Sequence, residues 1–282
     1  MPELPEVETV ARQLAPLVSG RVVQRLEILD RRLGRIRTSL RGLRISTVSR
    51  VGKQLVVELC GPPRRTRSTG AKGHASDAAD RLWLAVHLRM TGRLLWTPAG
   101  RAPPREHLRA RLILAGGELS FVDLRRLGTL RIHRSRDALQ AVGVEPLAAQ
   151  LTSRVLADLL AGSAQPIKPW LLRQDRLLGI GNIYASEILH RAHIHPERPA
   201  GSLGATEARR LWLAVRQVLR AAIRHCGTTI SDFQDARGRA GSFQRRLAVY
   251  GREGEPCRRC GGPVERRVQA GRSSYFCGRC QR

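Results

Sequence analysis

Two cysteine pairs near the end of the chain form the clearest local motif. Cys257 and Cys260 make the first Cys-x-x-Cys pair, Cys277 and Cys280 make the second, and 16 residues separate the pairs. Pairs of this kind supply four thiolates to one Zn²⁺, and the spacer is long enough for a β-hairpin that places the second pair over the first. Four protein ligands leave no open position on the metal, so we expect one structural zinc ion.

The redox state of the cysteines depends on the cellular compartment. The N-terminal segment lacks the basic and apolar stretches of a secretory signal, and no apolar run approaches the roughly 20 residues of a membrane span. We therefore expect a cytoplasmic protein without membrane association, in which reduced or metal-bound cysteines are favoured over two disulfides. Cys60 and Cys226 lie outside the pairs and are interpreted as ordinary buried residues.

A glycine-rich turn, Gly-Ile-Gly-Asn at 179–182, precedes a helical pattern. Glycines let the backbone approach a ligand closely, and the free N–H groups at a helix N-terminus bind anions. In a basic protein we expect that anion to be a DNA phosphate. A plain turn between two helices is the alternative, because the motif alone has low specificity.

The N-terminal residues carry a third candidate chemistry. A methionine before a small residue such as Pro2 is normally removed, which leaves a secondary amine at the start of the chain. An α-amino group has a pKa near 8, so part of it is unprotonated at neutral pH and is able to attack a sugar carbon to form an iminium. Glu3 and Glu6 are placed to move protons. Proline and glutamate are equally typical of a helix start, so both interpretations stay open here.

The charge composition indicates a polyanionic partner. The chain has 50 Lys+Arg against 23 Asp+Glu, a formal net charge of +27. Only Lys53, Lys72 and Lys168 are lysines, which leaves 50 − 3 = 47 arginines. An arginine-rich genome is the alternative explanation, but it does not readily produce so large a net charge, so we expect nucleic-acid binding.

Hydrophobic periodicity predicts the elements that position these residues. Apolar residues three and four apart predict a helix over residues 5–18, and alternation predicts strands at 55–59, 82–90 and 108–114. A β-sandwich or barrel closed by the N-terminal helix fits residues 1–135. Residues 61–80, rich in Pro, Gly, Ser and charge, predict a flexible loop.

Beyond about residue 151 the helical period returns. It predicts helices within 151–160, 167–174, 182–192 and 205–226. The tail from Gly251 is too short to form a core of its own and needs a metal to hold it.

Four segments together closely resemble one family. MPELPEVETV at the start, GIGNIYASE, VYGREGEPC and the paired cysteine motifs are similar to those of formamidopyrimidine-DNA glycosylase, and the similarity spans the chain apart from the loop at 61–80. The resemblance implies an α+β multidomain protein that clamps damaged double-stranded DNA as a monomer. Its parts would be a helix-capped β-sandwich at 1–135, a linker at 136–149, a helix–two-turn–helix domain at 150–240 and a β-hairpin zinc finger at 241–282.

The resemblance also implies a bifunctional enzyme of base excision repair. Such an enzyme removes oxidised purines, namely 8-oxoguanine and formamidopyrimidines, and then cleaves the abasic site as a lyase by β,δ-elimination. Carried over residue by residue, Pro2 is the Schiff-base nucleophile, Glu3 the acid and Glu6 a supporting group. Lys53 matches the lysine assigned to proton donation in β-elimination, and Arg272 matches the arginine that binds the phosphates beside the lesion and assists δ-elimination.

A base inside a duplex must be flipped out before it is excised, and protein side chains fill the gap. In the family a Met, an Arg and a Phe do this. Met90 and Arg125 match the first two, whereas Leu127 stands where Phe is usual. An aliphatic side chain loses aromatic stacking with a base, which contributes about 1–3 kcal/mol.

The remaining carried-over positions concern DNA contacts. His107 and Asn182 match residues that contact the DNA backbone, and Lys168 matches a lysine near the lesion. Two positions depart from the family pattern: Ser163 replaces a phosphate-contacting lysine, and Ser242 replaces an aromatic residue in a region that folds over the flipped base.

Two alternatives remain at this stage. One is an endonuclease VIII-like glycosylase for oxidised pyrimidines, whose members usually begin Pro-Glu-Gly rather than Pro-Glu-Leu-Pro-Glu. The other is a non-catalytic DNA-binding paralogue, which the presence of Pro2, Glu3, Lys53 and Arg272 disfavours.

Overall fold

The computed structural model of the chain describes residues 1–61, 81–139, 142–230 and 232–282. From residue 62 onward, the predicted loop at 61–80 therefore lies outside the described residues. None of the helices in the described ranges is long and apolar enough to cross a membrane.

The chain divides into two compact units, each built from separate segments. Unit 1 comprises Met1–Pro2, Val7–Gln140 and Ser231–Ala240, and unit 2 comprises Glu3–Glu6, Ala141–Ile230 and Gly241–Arg282. The domain bounds predicted from the sequence stay predictions.

Unit 1 contains most of the first helix and two four-stranded antiparallel sheets. Helix α1 spans Leu4–Val18, close to the predicted 5–18. One sheet has the order β1-β6-β7-β5 and the other the order β2-β3-β4-β8. The strands are β1 Val23–Ile28, β2 Arg44–Val51, β3 Gln54–Cys60, β4 Arg81–His87, β5 Gly92–Pro98, β6 Leu108–Leu114, β7 Gly117–Asp123 and β8 Thr129–His133.

The predicted alternation forms the core of unit 1. Leu55, Val57 and Leu59 of β3 are fully buried, as expected when every second residue of a strand points to one face. They share one core with Val10 and Leu14 of α1. The helix therefore covers the sandwich with the apolar stripe that its spacing predicts.

The strand predicted at 82–90 is shorter than expected. Strand β4 ends at His87, and the chain then turns, with Arg89 in the left-handed region at a φ of 53°. The N–H of Gly92 closes this turn by donating to the carbonyl of Leu88 at 2.9 Å. Met90 consequently lies in a turn with 40% of its surface exposed, rather than at the end of a core stripe.

Unit 2 is mainly helical. Its helices are α2 Ser153–Leu160, α3 Ile167–Leu172, α4 Asn182–Ala192 and α5 Ala205–Arg224. Leu211, Val215 and Ala222 form a buried face of α5, as the 3.6-residue period predicts. An antiparallel hairpin of β9 Glu265–Gln269 and β10 Arg272–Phe276 also belongs to this unit.

Candidate active site and zinc centre

The N-terminus of α4 binds a carboxylate from the same chain. The carboxylate of Glu3, whose residue is only 3% exposed, accepts the N–H of Gly181 at 2.7 Å, of Ile183 at 3.0 Å and of Tyr184 at 3.4 Å. Free N–H groups and the positive end of the helix dipole both favour an anion at this place. The glycine-rich turn thus holds an anion, but that anion is Glu3, whereas the sequence predicted a DNA phosphate.

Gly181 is required by this contact. A Cβ built on Gly181 would lie 2.5 Å from Oε1 of Glu3, which is closer than side-chain atoms approach. Its φ of −129° is open to other residues. The need for glycine therefore comes from the bound carboxylate and not from backbone strain.

Glu6 lies in a second buried polar cluster beside the first. Its carboxylate accepts the hydroxyl of Tyr184 at 2.5 Å, the N–H of Thr228 at 2.7 Å and the N–H of Glu3 at 2.8 Å. Burial first, and the Glu3 carboxylate second, raise the pKa of Glu6 to about 7, although the three hydrogen bonds act in the opposite direction. The residue therefore changes its charge near neutral pH. Burial also raises the pKa of Tyr184, which keeps its hydroxyl as a donor.

The sequence did not reveal Tyr184 or Thr228 as members of this cluster. Both contact Glu6 across a long separation in the chain, and neither belongs to a spaced motif. The signal that was available is the position of Tyr184 inside the Gly-Ile-Gly-Asn-Ile-Tyr segment, directly after the anion-binding turn.

Lys168 and Asn182 converge on the hairpin strand that begins with Arg272. The ammonium of Lys168, a residue only 1% exposed, donates to the carbonyl of Ser273 at 2.6 Å and to the hydroxyl of Ser274 at 2.8 Å. The amide of Asn182 donates to the same carbonyl at 3.0 Å. Burial lowers the pKa of Lys168 to about 8. These two side chains fix the backbone next to Arg272, which is itself exposed.

In unit 1, a buried hydrogen-bond network holds the residues predicted to fill the gap in DNA. The hydroxyl of Thr91 donates to the Asp123 carboxylate at 2.5 Å and accepts the N–H of Arg125 at 3.0 Å. The other oxygen of Asp123 accepts the N–H of Gly128 at 2.7 Å. Asp123 thereby fixes both ends of the loop that carries Arg125 and Leu127.

This loop and the Met90 turn lie at the same end of one sheet, because Gly92 of β5 pairs with Asp123 of β7. Leu127 is 45% exposed, comparable to Met90 at 40%. His107 precedes β6, and its carbonyl accepts the N–H of Asp123 at 2.9 Å. The exposed side chains of Met90 and Leu127 therefore lie next to the buried hydrogen bonds of Asp123.

Lys53 occupies the tight turn between β2 and β3, next to Gly52. Gln54 pairs with His87 at the end of β4. Burial first, then Arg89 and Lys53, lower the pKa of His87 to about 4, which keeps this imidazole neutral. Lys53 and the Met90 turn thus lie at adjacent strand ends.

The four paired cysteines form one cluster. Their sulfur atoms all lie within 4.8 Å of one another, with 3.9 Å between Cys257 and Cys280 and 3.5 Å between Cys260 and Cys277. Sulfurs at about 2.3 Å from a tetrahedral zinc ion are separated by close to 4 Å, whereas a disulfide needs about 2 Å. The cluster fits one structural Zn²⁺, as predicted.

The structure also shows the surroundings of the remaining residues singled out from the sequence. Cys60 and Cys226 are half-buried rather than fully buried. Ser163 lies in the turn after α2, and the Ser242 hydroxyl donates to the carbonyl of His225 at 3.1 Å. Pro2 is buried and Met1 is 45% exposed.

The fold and the site define a zinc-finger protein with two buried carboxylates, Glu3 and Glu6, at the start of its first helix. Three sequence models match the chain in order: the formamidopyrimidine-DNA glycosylase N-terminal domain over residues 1–130, the helix–two-turn–helix domain of the same family over 142–234, and a zinc finger found in this family and in isoleucyl-tRNA synthetase over 254–282. The chain belongs to the formamidopyrimidine-DNA glycosylase family.

Individual relatives agree along the whole chain. A formamidopyrimidine-DNA glycosylase of Heliobacterium modesticaldum is 40% identical over 296 residues, covering 100% of both chains. The crystal structure of the MutM (Fpg) protein from Thermus thermophilus superposes with a TM-score of 0.82 at 42% identity, covering 99% of this chain and 98% of that one. A complex of Lactococcus lactis Fpg with DNA containing an abasic site gives a TM-score of 0.84 at 31% identity, covering 99% of each chain. The resemblance, the fold class, the enzyme class and the zinc ion predicted from the sequence are thereby confirmed.

Substitution of Gly181 tests the contact at α4. We expect Gly181→Ala to lower the free energy of unfolding by about 1–3 kcal/mol, because the added methyl group collides with the buried Glu3 carboxylate. Urea unfolding measures this change. Gly204→Ala is the matched control, since Gly204 precedes α5 just as Gly181 precedes α4 and its added methyl group meets nothing within 4 Å. Equal losses in the two variants would refute the contact as the cause.

Removal of one zinc ligand tests the metal centre. We expect Cys260→Ser to reduce the zinc content of the purified protein below one ion per chain and to weaken DNA binding, because three thiolates hold the hairpin less firmly. Elemental analysis and a binding titration measure both effects. Cys60→Ser is the control, since Cys60 lies on β3, outside the cluster. Full DNA binding by a zinc-free Cys260→Ser protein would contradict the role of the hairpin.

Proposed function

We propose that this protein excises oxidised purines, namely 8-oxoguanine and formamidopyrimidines, from double-stranded DNA and then cleaves the abasic strand by β,δ-elimination. The relatives of known name, all bacterial, and the net charge of +27 support this proposal. We further propose that the protein works as a monomer on the nucleoid in the bacterial cytoplasm.

The observation that carries the proposal is the pair of buried carboxylates that directly follows Pro2. Glu3 and Glu6 are 3% and 2% exposed, and each accepts three hydrogen bonds, all but one of them from backbone N–H groups. Burying two carboxylates side by side is unfavourable unless both are paired or hydrogen-bonded. Such an arrangement is typical of sites where protons are moved.

In the proposed reaction, Pro2 is the nucleophile after removal of Met1. Its secondary amine attacks C1′ of the damaged nucleotide, and the glycosidic bond breaks with its electron pair leaving on the base. The amine then loses its proton, and the C1′–O4′ bond opens with its electron pair passing to O4′, which is protonated, so that an iminium forms. Glu3 acts as the acid toward the sugar or the leaving base. Glu6, hydrogen-bonded to the peptide nitrogen that joins Glu3 to Pro2, supports both residues.

Elimination is assigned to cationic residues. We assign Lys53 to proton donation in β-elimination, and Arg272 to the phosphates next to the lesion and to δ-elimination. Lys168 and Asn182 support Arg272 by holding the carbonyl of Ser273. In this proposal their contribution to DNA binding is made through the hairpin backbone.

The exposed residues of unit 1 are assigned to the gap left by the flipped base. Met90, Arg125 and Leu127 are positioned by the Asp123 network, and His107 is proposed to contact the DNA backbone. Leu127 excludes water from the gap but does not stack on a base as a Phe does.

Covalent trapping tests the nucleophile and the substrate class together. We expect borohydride to reduce the iminium and link the protein to duplexes containing 8-oxoguanine or formamidopyrimidine, and to trap less with thymine glycol. A chain with a retained N-terminal tag should give no adduct, because its Pro2 nitrogen is an amide. Gel electrophoresis of labelled DNA shows the adduct.

The control for this experiment is the same tagged chain after proteolysis has exposed Pro2. Trapping by the blocked chain would rule out Pro2 as the nucleophile. Preferential trapping with thymine glycol would instead favour an enzyme for oxidised pyrimidines, and absence of trapping by the exposed chain would favour a non-catalytic DNA-binding protein.

The charge of Glu6 should appear in the pH profile of the reaction. Because the pKa of Glu6 is about 7, the single-turnover excision rate should show a midpoint near pH 7 in addition to that of the Pro2 amine near pH 8, and Glu6→Gln should remove only the lower midpoint. The Tyr184 hydrogen bond lowers the pKa of Glu6, so Tyr184→Phe should shift the midpoint to higher pH.

Tyr275→Phe is the matched control, since Tyr275 lies on β10 and not beside Glu6. Single-turnover rates from acid to alkaline pH give the midpoints. A midpoint near pH 7 that persists in Glu6→Gln, or one that moves downward in Tyr184→Phe, would show that a group other than Glu6 causes it.

A further inference from the structure

A groove of about 750 Å³ lies in unit 2, along the C-terminal halves of α4 and α5. Its lining includes six arginines: Arg191, Arg216, Arg220, Arg224, Arg246 and Arg259. Glu187 is the one acidic residue among its described lining residues. The groove is therefore strongly cationic.

Glu187 contributes little negative charge to the groove. Its carboxylate accepts the N–H groups of Ala248, Val249 and Tyr250 at 2.8, 3.0 and 2.9 Å, and it is only 5% exposed. Burial raises its pKa. This acid serves to hold the backbone, not to neutralise the arginines.

Three of the six arginines contact other residues of the chain, and the other three are open to a ligand. Arg191 donates to Gln217, Arg216 to the carbonyl of Ala148, and Arg259 contacts His193. In contrast, the side chains of Arg220, Arg224 and Arg246 are exposed and form no hydrogen bond or ion pair within the described part of the chain. Three guanidinium groups thus have all their donors open to a ligand.

Three of the arginines form a row along α5. Such a row matches the repeated charges of a polyanion better than a single small anion. Arg216, Arg220 and Arg224 are four residues apart on α5 and so follow one face of the helix. A rise of 1.5 Å per residue separates successive members by about 6 Å. DNA presents phosphates in a regular series, and arginines bind them through paired N–H donors.

The aromatic residues in the groove favour a duplex over a single strand. Single strands bind by stacking their bases on open aromatic rings. The Trp212 ring is covered by the Arg216 guanidinium at 5.3 Å from its centroid, and its N–H donates to the carbonyl of Leu151 at 2.6 Å. Phe243 is 6% exposed. Because these rings are covered, the groove binds a phosphate backbone through its positive charges and not by stacking bases.

The groove approaches the Glu6 cluster at Phe243, whose ring lies 6.0 Å from that of Tyr184, but it extends from there along α4 away from the Glu3 contact. Glu3 binds at the first turn of α4, whereas the groove is lined by Glu187, His190 and Arg191 further along the same helix. Arg191 lies nine positions after Asn182, which corresponds to about 13 Å along the helix.

We propose that this groove binds the phosphate backbone of a second, undamaged DNA duplex while the active site holds a first one. The protein would then contact two DNA segments together, which assists transfer between segments during a lesion search. The inference depends on the groove residues and not on the assignment of Pro2.

Binding of two differently labelled duplexes tests the proposal. The full-length protein is saturated with a short duplex containing a stable abasic-site analogue, and an undamaged duplex carrying another fluorophore is then titrated at several salt concentrations. We expect a ternary complex. We expect the triple variant Arg220→Gln/Arg224→Gln/Arg246→Gln to bind the second duplex at least tenfold more weakly, and to lower the slope of log K against log salt by about 3, since each phosphate contact contributes about 0.9.

The control replaces three exposed arginines outside the groove, Arg101, Arg136 and Arg154, with glutamine, which gives the same change in net charge. Both triple variants should incise a lesion duplex at the unaltered rate, which separates failure of this proposal from failure of the proposed catalysis. Absence of a ternary complex, or equal weakening by the control, would overturn the inference. Tighter binding of a polyglutamate peptide than of the duplex would also overturn it, in favour of an acidic protein partner.

Discussion

The contact between the Glu3 carboxylate and the N-terminus of α4 is the interaction on which the candidate site depends. Three backbone N–H groups and the helix dipole compensate a negative charge that is almost completely buried. The contact explains why position 181 is glycine. It also fixes the residue that follows Pro2, because both the side chain and the N–H of Glu3 are hydrogen-bonded.

Glu6 makes the cluster sensitive to pH. Burial and the neighbouring Glu3 carboxylate both raise the pKa of Glu6. Glu3 is held by the N-terminus of a helix, whereas Glu6 depends on Tyr184, Thr228 and the peptide nitrogen of Glu3. The two carboxylates thus have different hydrogen-bond environments, although they are three positions apart in the chain.

Local patterns in the sequence were sufficient to predict helices, strands and the metal site. Alternation predicted β3, the 3.6-residue period predicted α5, and the spacing of Cys257, Cys260, Cys277 and Cys280 predicted a cluster that the sulfur distances confirm. Each of these signals lies within a short window, where geometry follows directly from residue spacing.

Contacts between distant segments were not predictable in this way. The turn at 179–182 was expected to bind an anion, but the anion comes from Glu3, which is 178 residues away from Gly181. The place of Lys168 near the lesion stays a prediction, but the burial of its ammonium against Ser273 and Ser274 was not predictable from the sequence. A polar group is recognised in sequence by its type, whereas its partner is set by the tertiary fold.

The predictions at the strand ends were only partly correct, because contacts outside the local pattern determine where the strands end. The apolar period runs through Met90, so it predicted a longer strand, whereas the turn is closed by a backbone hydrogen bond from Gly92 to Leu88. The loop that carries Leu127 is likewise held by Asp123, a residue that belongs to no motif. Exposed apolar side chains supported by buried polar groups are a feature of binding surfaces, which periodicity does not distinguish from core.

The two ends of α4 have opposite electrostatic character, and this limits where each kind of ligand binds. At its N-terminus, the N–H groups of Gly181, Ile183 and Tyr184 are already bound by Glu3, so these groups are not available to a phosphate that reaches this end. Its last turn contains Arg191, a cation of the kind that the negative end of a helix dipole favours. The same is true of Arg224 at the end of α5. The dipoles therefore stabilise Arg191 and Arg224, the two arginines of the groove that lie in the last turns of α4 and α5.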